Sequence, residues 1–166
     1  MNFSIVIPVY NEELNIADLI EEIFKNLEIY NANFEIVLVN DASTDKSLEQ
    51  ISLKKNKFNE KIKIINNEIN LGQSLSIIKG IENSIYNTIV TIDADGQNNP
   101  KDINALLVKY FSDDEIYLVG GIRHKRKDNF IKKISSKIAN SIRSFILGDN
   151  CKDTGCSLKV FDKNTF

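Results

Sequence analysis

Apolar residues recur along the chain in two alternating patterns, one with the spacing of strands and one with the spacing of helices. Residues 3–9 form a short run rich in β-branched side chains, which predicts a buried first strand. Apolar residues over 12–30 recur every three or four positions, which predicts an amphipathic helix. The same reasoning predicts further strands at 34–39, 61–65, 88–93, 116–121 and the end of 153–161, and further helices ending near 56, starting after 72, over 100–111 and over 130–147.

The connections between successive predicted strands are too long for hairpins. We therefore predict an α/β fold with a mostly parallel central sheet and helices on both faces, in one domain over 1–166. The chain stops soon after its last predicted strand, so we expect this domain to be truncated at its C-terminal end. Local signals predict an N-cap at Asn11 for the first helix and at Ser43 or Thr44 for the second, with Pro100 at the first position of a later helix.

Two carboxylates, Asp93 and Asp95, come at the end of the strand predicted over 88–93 and precede a polar turn. In an open α/β sheet, ligands bind at the carboxyl ends of the strands. Two carboxylates this close repel each other unless a cation lies between them, and oxygen ligands without Cys or His favour Mg²⁺ or Mn²⁺. The alternative is a solvated Asx turn that caps the next helix, and these residues alone do not decide between the two.

Composition narrows the class of protein. The chain of 166 residues is 42% apolar and 27% charged, which is typical of a globular domain. It has no run of 18 apolar residues and no basic leader before the first predicted strand, so we expect neither a membrane span nor a signal peptide. Cys151 and Cys156 lack the spacing of a zinc site or a disulfide framework, and reduced thiols favour a cytoplasmic location.

Charge is unevenly distributed along the chain. Residues 123–143 contain eight Lys or Arg and one acid, a net charge of +7, so the remainder carries −9. The basic segment indicates an anionic partner, while the acidic remainder argues against a nucleic-acid binder. The helix predicted over 130–147 has an apolar stripe beside its basic residues. Segment 123–147 therefore either contacts the inner face of an anionic membrane or packs on the sheet with its basic edge in solvent.

Several classes of nucleotide site are excluded by motif. The turn from Pro8 to Glu12 is not the glycine-rich turn of a dinucleotide site, and no GxxxxGK[ST] sequence is present. The sequence from Asp93 to Gly96 starts like a calcium loop, but Asn98 and Asn104 occupy the positions where an EF-hand requires Gly and Glu. A metal between aspartates, with acidic turns after the first two strands, instead fits a site for a nucleoside diphosphate.

Four ordered motifs resemble family 2 glycosyltransferases with the GT-A fold, the fold of nucleotide-diphospho-sugar transferases. They are Ile7-Pro8-Val9-Tyr10-Asn11-Glu12-Glu13, Val39-Asn40-Asp41-Ala42-Ser43-Thr44-Asp45, Asn70-x-Gly72 and Asp93-Ala94-Asp95-Gly96-Gln97. Two further motifs are similar to the dolichol-phosphate mannosyltransferase and polyprenyl-phosphate glycosyltransferase group. They are Gly121-x-Arg123-x-x-Arg126-x-Asp128 and Asp153-x-Gly155-Cys156-x-Leu158-Lys159. The resemblance covers nearly the whole chain.

The resemblance implies a role for each matching residue. The metal, Mg²⁺ or Mn²⁺, would be held by Asp93, Asp95 and Gln97. The donor and the phosphates would be bound by Pro8, Val9, Tyr10, Asn11, Glu12, Asp41, Asp93, Arg123 and Arg126. The catalytic residues would be Asp95, Arg123 and Asp153, the last facing sugar and acceptor. The chain departs from the family pattern at Asn40, where Asp is common, and at Asp162, where many relatives carry Arg.

The resemblance further implies an inverting transfer of a hexose from a nucleotide-diphosphate sugar to a polyprenyl phosphate. One alternative is a family 2 glycosyltransferase that acts on a glycan or a cell-surface polysaccharide. Another is a sugar-nucleotide pyrophosphorylase, which would need a Gly-rich, basic first turn that this chain lacks. A third is a non-catalytic module that binds a nucleotide sugar. The sequence does not identify the sugar, the nucleobase or the oligomeric state.

Overall fold

Strands and helices alternate along the described part of the chain, as the sequence predicts. The computed structural model describes residues 1–28, 32–113, 115–122, 153 and 155–165. The elements are β1 (Asn2–Val9), α1 (Ile16–Leu27), β2 (Asn33–Asn40), α2 (Ser47–Phe58), β3 (Ile62–Asn66), α3 (Gln73–Glu82), β4 (Thr88–Thr91), α4 (Asp102–Tyr110), β5 (Leu118–Gly120) and β6 (Lys159–Asp162). The helix predicted over 130–147 lies outside the described residues. None of the described helices combines the length and the apolar character that a membrane span requires.

The described strands form one sheet in the order β3-β2-β1-β4-β6-β5. The first four strands in this order pair in parallel, and β6 pairs antiparallel with both β4 and β5. The prediction of a mostly parallel sheet is therefore confirmed. After β3 the chain crosses to the opposite side of β1 to form β4. The carboxyl ends of β1 and β4 thus lie at the point where the direction of winding reverses, which is where open α/β sheets bind ligands.

Both faces of the sheet are covered by helices, as predicted. On one face, alternate residues of β1 such as Ile5 and Ile7 pack with the buried residues of α1, α2 and α4. On the other face, Val6 packs with Ile81 and Ile77 of α3. Burial of such an aliphatic side chain contributes roughly 1.5–3 kcal/mol. The alternation of β1 side chains between the two faces therefore fixes the helices above and below the sheet.

Helix α3 approaches the sheet closely at Gly80. A Cβ atom at this position would overlap the side chain of Val6 and lie 3.1 Å from Cγ2 of Val39. Since both valines are fully buried, they have no room to move aside. The absence of a side chain at Gly80 therefore sets the distance between α3 and the central strands.

The predicted helix starts are wrong at three places. Helix α1 begins at Ile16 and not after Asn11, and α2 begins at Ser47 and not after Ser43 or Thr44. Helix α4 begins at Asp102, two residues beyond Pro100. The first two shifts have one cause, because the residues before α1 and α2 hydrogen-bond to each other and form an ordered pair of loops. Strand β4 is also shorter than predicted, since it ends at Thr91.

Candidate functional site

A pocket of about 410 Å³ lies at the carboxyl ends of β1, β2 and β4, and we call it the central pocket. The turn after β1, the end of β2, the loop between β3 and α3, and the turn after β4 all contribute to it. Its lining residues are Pro8, Val9, Tyr10, Glu12, Asp41, Asn70, Gly72, Gln73, Asp93, Ala94 and Asp95. The pocket thus occupies the point where the winding of the sheet reverses, which is the expected ligand position in this architecture.

The loops after β1 and β2 hold each other in place on one side of the central pocket. Asn11, whose φ is +56°, accepts a hydrogen bond from the backbone N–H of Thr44 at 2.8 Å. In return, the hydroxyl of Ser43 accepts one from the N–H of Asn11 at 3.1 Å. The hydroxyl of Ser47 accepts another from the N–H of Glu12 at 2.7 Å. Because these bonds connect distant parts of the chain, they fix the turn that carries Tyr10 and Glu12.

Asp41 is buried in the wall of the central pocket and anchors the loop between β3 and α3. Its Oδ1 atom accepts hydrogen bonds from Asn67 at 2.7 Å and from the N–H of Leu71 at 2.9 Å. Its Oδ2 atom accepts one from the N–H of Gly72 at 2.8 Å. Burial alone would raise the pKa of Asp41, but the hydrogen bonds from Leu71, Asn67, Gly72 and Ser76 lower it below its ordinary value. Asp41 is therefore an ionised anchor for a loop that lines the pocket.

Asp93 and Asp95 both line the central pocket, on the turn that follows β4. Oδ1 of Asp93 accepts a hydrogen bond from the side-chain amide of Gln73 at 2.5 Å. Oδ1 of Asp95 accepts one from the N–H of Gln97 at 3.0 Å, and Gly96 between them has a φ of +70°. The Asx turn considered from the sequence is therefore present at Asp95, but it does not cap the next helix, which begins at Asp102 without a side-chain cap. It coexists with a position in the pocket, so the two interpretations do not exclude each other.

The acidic pair fits a hard divalent cation. Among the described residues, no group of three or more His, Cys, Asp or Glu side chains is placed to hold a metal ion. Mg²⁺ usually takes only one or two protein carboxylates and completes its shell with water and substrate phosphates. Asp93 and Asp95 provide that number of carboxylates at the edge of a pocket with room for such a substrate. The donor set therefore matches Mg²⁺ or Mn²⁺ rather than a metal that prefers sulfur or nitrogen.

The structure brings most of the described candidate residues together and leaves others apart. Those that share the central pocket are Pro8, Val9, Tyr10, Glu12, Asp41, Asp93 and Asp95. Of the described candidates, Asn11, Gln97 and Asp153 do not line it. Asp153 is buried shortly before β6, and its carbonyl oxygen accepts a hydrogen bond from the N–H of Cys156 at 3.4 Å. Arg123 and Arg126 lie outside the described residues.

Three polar residues of the site were missed by sequence reasoning. Gln73 contacts Asp93, as described above. The side-chain amide of buried Asn98 donates a hydrogen bond to the hydroxyl of Ser157 at 2.6 Å, and the same hydroxyl accepts one from the N–H of Asp93 at 3.3 Å. These bonds connect the turn after β4 to the segment before β6. All three had a signal in the sequence, since Gln73 and Asn98 directly follow the motifs that end at Gly72 and Gln97, and Ser157 lies within the motif from Asp153 to Lys159.

Comparison with known proteins gives matches along almost the whole chain. The model of the family "Glycosyl transferase family 2" matches residues 4–166. The chain is 34% identical over 162 residues to dodecaprenyl-phosphate galacturonate synthase of Rhizobium johnstonii, which covers 97% of this chain and 48% of the relative. It is 33% identical to undecaprenyl-phosphate 4-deoxy-4-formamido-L-arabinose transferase of Proteus mirabilis, over 97% of this chain and 49% of the relative. The chain thus spans about half the length of these curated relatives.

Solved structures have the same fold. Mannosyl-3-phosphoglycerate synthase from Rubrobacter xylanophilus superposes with a TM-score of 0.80 at 15% identity, over 100% of this chain and 55% of that one. Glucosyl-3-phosphoglycerate synthase from Mycobacterium tuberculosis, solved with Mn²⁺ and UDP-glucose, gives 0.72 at 16% identity, over 98% and 56%. A mannosyltransferase from Pyrobaculum calidifontis, solved with GDP-mannose and Mn²⁺, gives 0.60 at 20% identity, over 98% and 50%. At these identities the likeness concerns the fold alone, which is GT-A.

Proposed function

The chain belongs to glycosyl transferase family 2, and on that basis we propose that it transfers a hexose from a nucleotide-diphosphate sugar to a polyprenyl phosphate. The observation that carries this proposal is the position of Asp93 and Asp95 in the same pocket as the turns after β1 and β2. One pocket can thus receive both ends of a nucleotide-sugar donor. The choice of acceptor rests on the two curated relatives, whose names each combine a polyprenyl phosphate with a sugar.

The nucleoside end of the donor would lie against the turn after β1. Tyr10 lines the pocket there and is 48% exposed, and we propose that its ring stacks on the base. Pro8, Val9 and Glu12 line the pocket beside it, and Asp41 holds the opposite loop in place. Asn11 would act indirectly, since its side chain fixes the loop that carries Thr44.

The diphosphate would lie next to Asp93 and Asp95, with Gln97 stabilising the turn through its hydrogen bond to Asp95. Two carboxylates repel a diphosphate unless positive charge lies between them. A divalent ion, Mg²⁺ or Mn²⁺, would supply that charge and stabilise the departing diphosphate. The remaining steps depend on the protein and on the two substrates.

The reaction is a direct displacement at C1 of the sugar. An oxygen of the acceptor phosphate forms a bond to C1 as the bond between C1 and the diphosphate oxygen breaks. The electron pair leaves with the nucleoside diphosphate, and the configuration at C1 inverts. Because a phosphate monoester is already ionised at pH 7, positioning matters more than a general base. Asp153 is buried and does not line the central pocket, so we assign it an indirect role in orienting the sugar and acceptor, through the segment before β6. We assign Arg123 and Arg126 to phosphate contacts.

We place the reaction at the cytoplasmic face of a membrane, where a lipid acceptor is held. The basic segment 123–147 is the proposed contact with anionic lipid. Flotation with vesicles containing anionic phospholipid tests this at low salt. Failure of the protein to float would remove the membrane contact and leave the transfer reaction unaffected.

The test of function uses Asp95→Asn, with Asp18→Asn on the exposed side of α1 as its control. Asparagine retains the oxygen that accepts the hydrogen bond from Gln97, so the turn is preserved while one charge is removed. We expect Mn²⁺-dependent transfer to undecaprenyl phosphate, measured by mass spectrometry, to fall roughly hundredfold, since metal ions contribute several kcal/mol to such steps. Transfer at the wild-type rate by Asp95→Asn would contradict the proposal. If product forms only on oligosaccharide acceptors, the acceptor is a glycan and not a polyprenyl phosphate.

A further inference from the structure

A second pocket of about 360 Å³ adjoins the central pocket, and we call it the side pocket. It lies between α3, the end of β4 and the start of β6. Its lining residues are Gln73, Ser74, Ile77, Ile78, Thr91, Asp93, Gly155, Cys156, Ser157, Lys159 and Phe161. Gln73 and Asp93 line both pockets, so the hydrogen bond between them forms part of a shared wall. A group bound in the side pocket would therefore lie beside the proposed position of the diphosphate.

The side pocket combines one cationic side chain with an apolar wall. Phe161 packs in the cluster on the α3 face of the sheet, and strand alternation places Lys159 on that same face. Within the described part of the chain, the Lys159 ammonium has no hydrogen-bond or ion-pair partner. Ile77 and Ile78 provide the opposite, apolar side. The pocket is therefore suited to a ligand with an anionic head and a hydrocarbon tail.

An exposed apolar stripe continues from the side pocket along α3. Leu75 lies one helical turn before Ile78 and is 51% exposed, and Leu71, just before the helix, is 39% exposed. Residues three or four apart lie on the same side of a helix. A tail that enters at Ile78 can thus continue over Leu75 without leaving apolar surface.

We propose that the side pocket is the acceptor site, in which Lys159 binds the phosphate of a polyprenyl phosphate. Ile77, Ile78 and Phe161 pack on its first isoprene unit, and the rest of the tail leaves the pocket past Leu75. This inference rests on the proposed function. It commits to a lipid phosphate because Ile77, Ile78 and Phe161 line the pocket with apolar side chains and the exposed Leu75 extends that apolar surface beyond it, which a glycan would leave unused.

Lys159 also solves an electrostatic problem of the reaction. The acceptor phosphate must approach both Asp93 and the donor diphosphate, and all three groups are negatively charged. Like charges at a few ångströms repel strongly where water is excluded. A cation on the side of the acceptor phosphate away from the donor offsets this repulsion and favours the close approach. Lys159 is the described cation that lines this pocket.

The test of the head site measures binding of farnesyl phosphate to the purified full-length protein by calorimetry, in the presence of UDP or GDP and Mn²⁺. We expect Lys159→Gln to weaken this binding roughly tenfold to hundredfold, since a hydrogen bond to a charged group contributes that much. Lys159→Arg should retain most of the affinity, and Lys109→Gln, on the exposed side of α4, should bind like wild type. An unchanged affinity in Lys159→Gln would overturn the proposal.

The test of the tail site uses Ile78→Ser, with Leu53→Ser on the exposed side of α2 as its matched control. Ile78→Ser should weaken the binding of farnesyl phosphate at least threefold and leave the binding of inorganic phosphate unaffected. Only farnesyl phosphate has a tail that contacts Ile78. Equal weakening of the binding of both ligands would contradict the proposed tail site. This variant also keeps the proposal testable if Lys159→Gln folds poorly, as judged by its Tm.

Failure of this inference is distinguishable from failure of the proposed function. If the wild-type protein binds neither UDP nor GDP with Mn²⁺, the proposed function fails and the acceptor site fails with it. If it binds a nucleotide and transfers sugar, while Lys159→Gln retains its farnesyl phosphate affinity and its transfer rate, only the acceptor site is wrong.

Discussion

The side-chain amide of Gln73 donates a hydrogen bond to the carboxylate of Asp93 at 2.5 Å, across 20 positions of sequence. Gln73 is the first residue of α3, the helix that follows β3 in the chain. Asp93 follows β4, which lies on the side of β1 opposite to β2 and β3. The bond therefore connects a helix on one face of the sheet to the turn that carries the acidic pair. Because both residues line both pockets, it orients Asp93 at the boundary between the proposed donor and acceptor sites.

Removal of this hydrogen bond should weaken donor binding without unfolding the protein. In Gln73→Leu, the Asp93 carboxylate loses a donor that orients it. A hydrogen bond to a charged group contributes about 1.5–3 kcal/mol, and the exposure of Gln73 to water reduces that contribution. We therefore expect the affinity for UDP or GDP with Mn²⁺ to fall roughly threefold to tenfold, as measured by calorimetry. The Tm should stay close to wild type, since Gln73 is exposed. Gln50→Leu on α2 is the control, and wild-type affinity in Gln73→Leu would show that the bond has no role in donor binding.

Replacement of Asp41 by Asn should destabilise the fold. The asparagine oxygen can still accept from Asn67 and Leu71, but its NH₂ group would face the N–H of Gly72, a second donor. A buried donor left without an acceptor costs about 1–3 kcal/mol. We expect the free energy of unfolding in urea at pH 7 to fall by that amount. Glu68→Gln, an exposed carboxylate in the same loop, should have little effect.

The pH dependence of the Asp41→Asn effect follows from the lowered pKa of Asp41. The folded state stabilises the ionised form of Asp41 more than the unfolded state does. The stabilisation is therefore fully present above the unfolded pKa, roughly 3.9, and is lost as the pH falls through the lower folded value. The difference in unfolding free energy between wild type and Asp41→Asn should accordingly narrow below about pH 4. A difference that stays constant down to pH 2.5, roughly, would show that ionisation of Asp41 is not its source.

Addition of one methyl group at Gly80 should also lower stability. Alanine is favoured over glycine in a helix by about 1 kcal/mol, but the new Cβ would overlap buried Val6. Overpacking of this kind costs about 1–3 kcal/mol, and the stiff β-branched side chain of Val6 has no alternative position in the core. We expect Gly80→Ala to lower the Tm. Gly120→Ala, where a Cβ meets no atom within 4 Å, should not; equal Tm values for the two variants would rule out close packing of α3 as the reason for Gly80.

The order of strands and helices was predictable because it depends on local periodicity. Alternating burial along β1 and the apolar side of α1 are visible in the residues themselves. The helix starts were not predictable from the sequence. Asn11, Ser43 and Thr44 have side chains typical of N-caps, but here they take part in hydrogen bonds between the two loops. A capping signal in sequence cannot distinguish a helix from a second loop as the partner.

The sequence by itself determined the fold class and the position of the acidic pair after β4, since both depend on residues that are neighbours in the chain. Only the tertiary structure decided that Asp41 anchors the loop before α3, that Gln73 orients Asp93, and that Lys159 lines a side pocket next to the central one. Each of these relationships joins residues that are far apart in the chain, as does the bond between Asn98 and Ser157 across 59 positions. Such contacts depend on strand order and on helix depth over the sheet, which are properties of the packed chain as a whole.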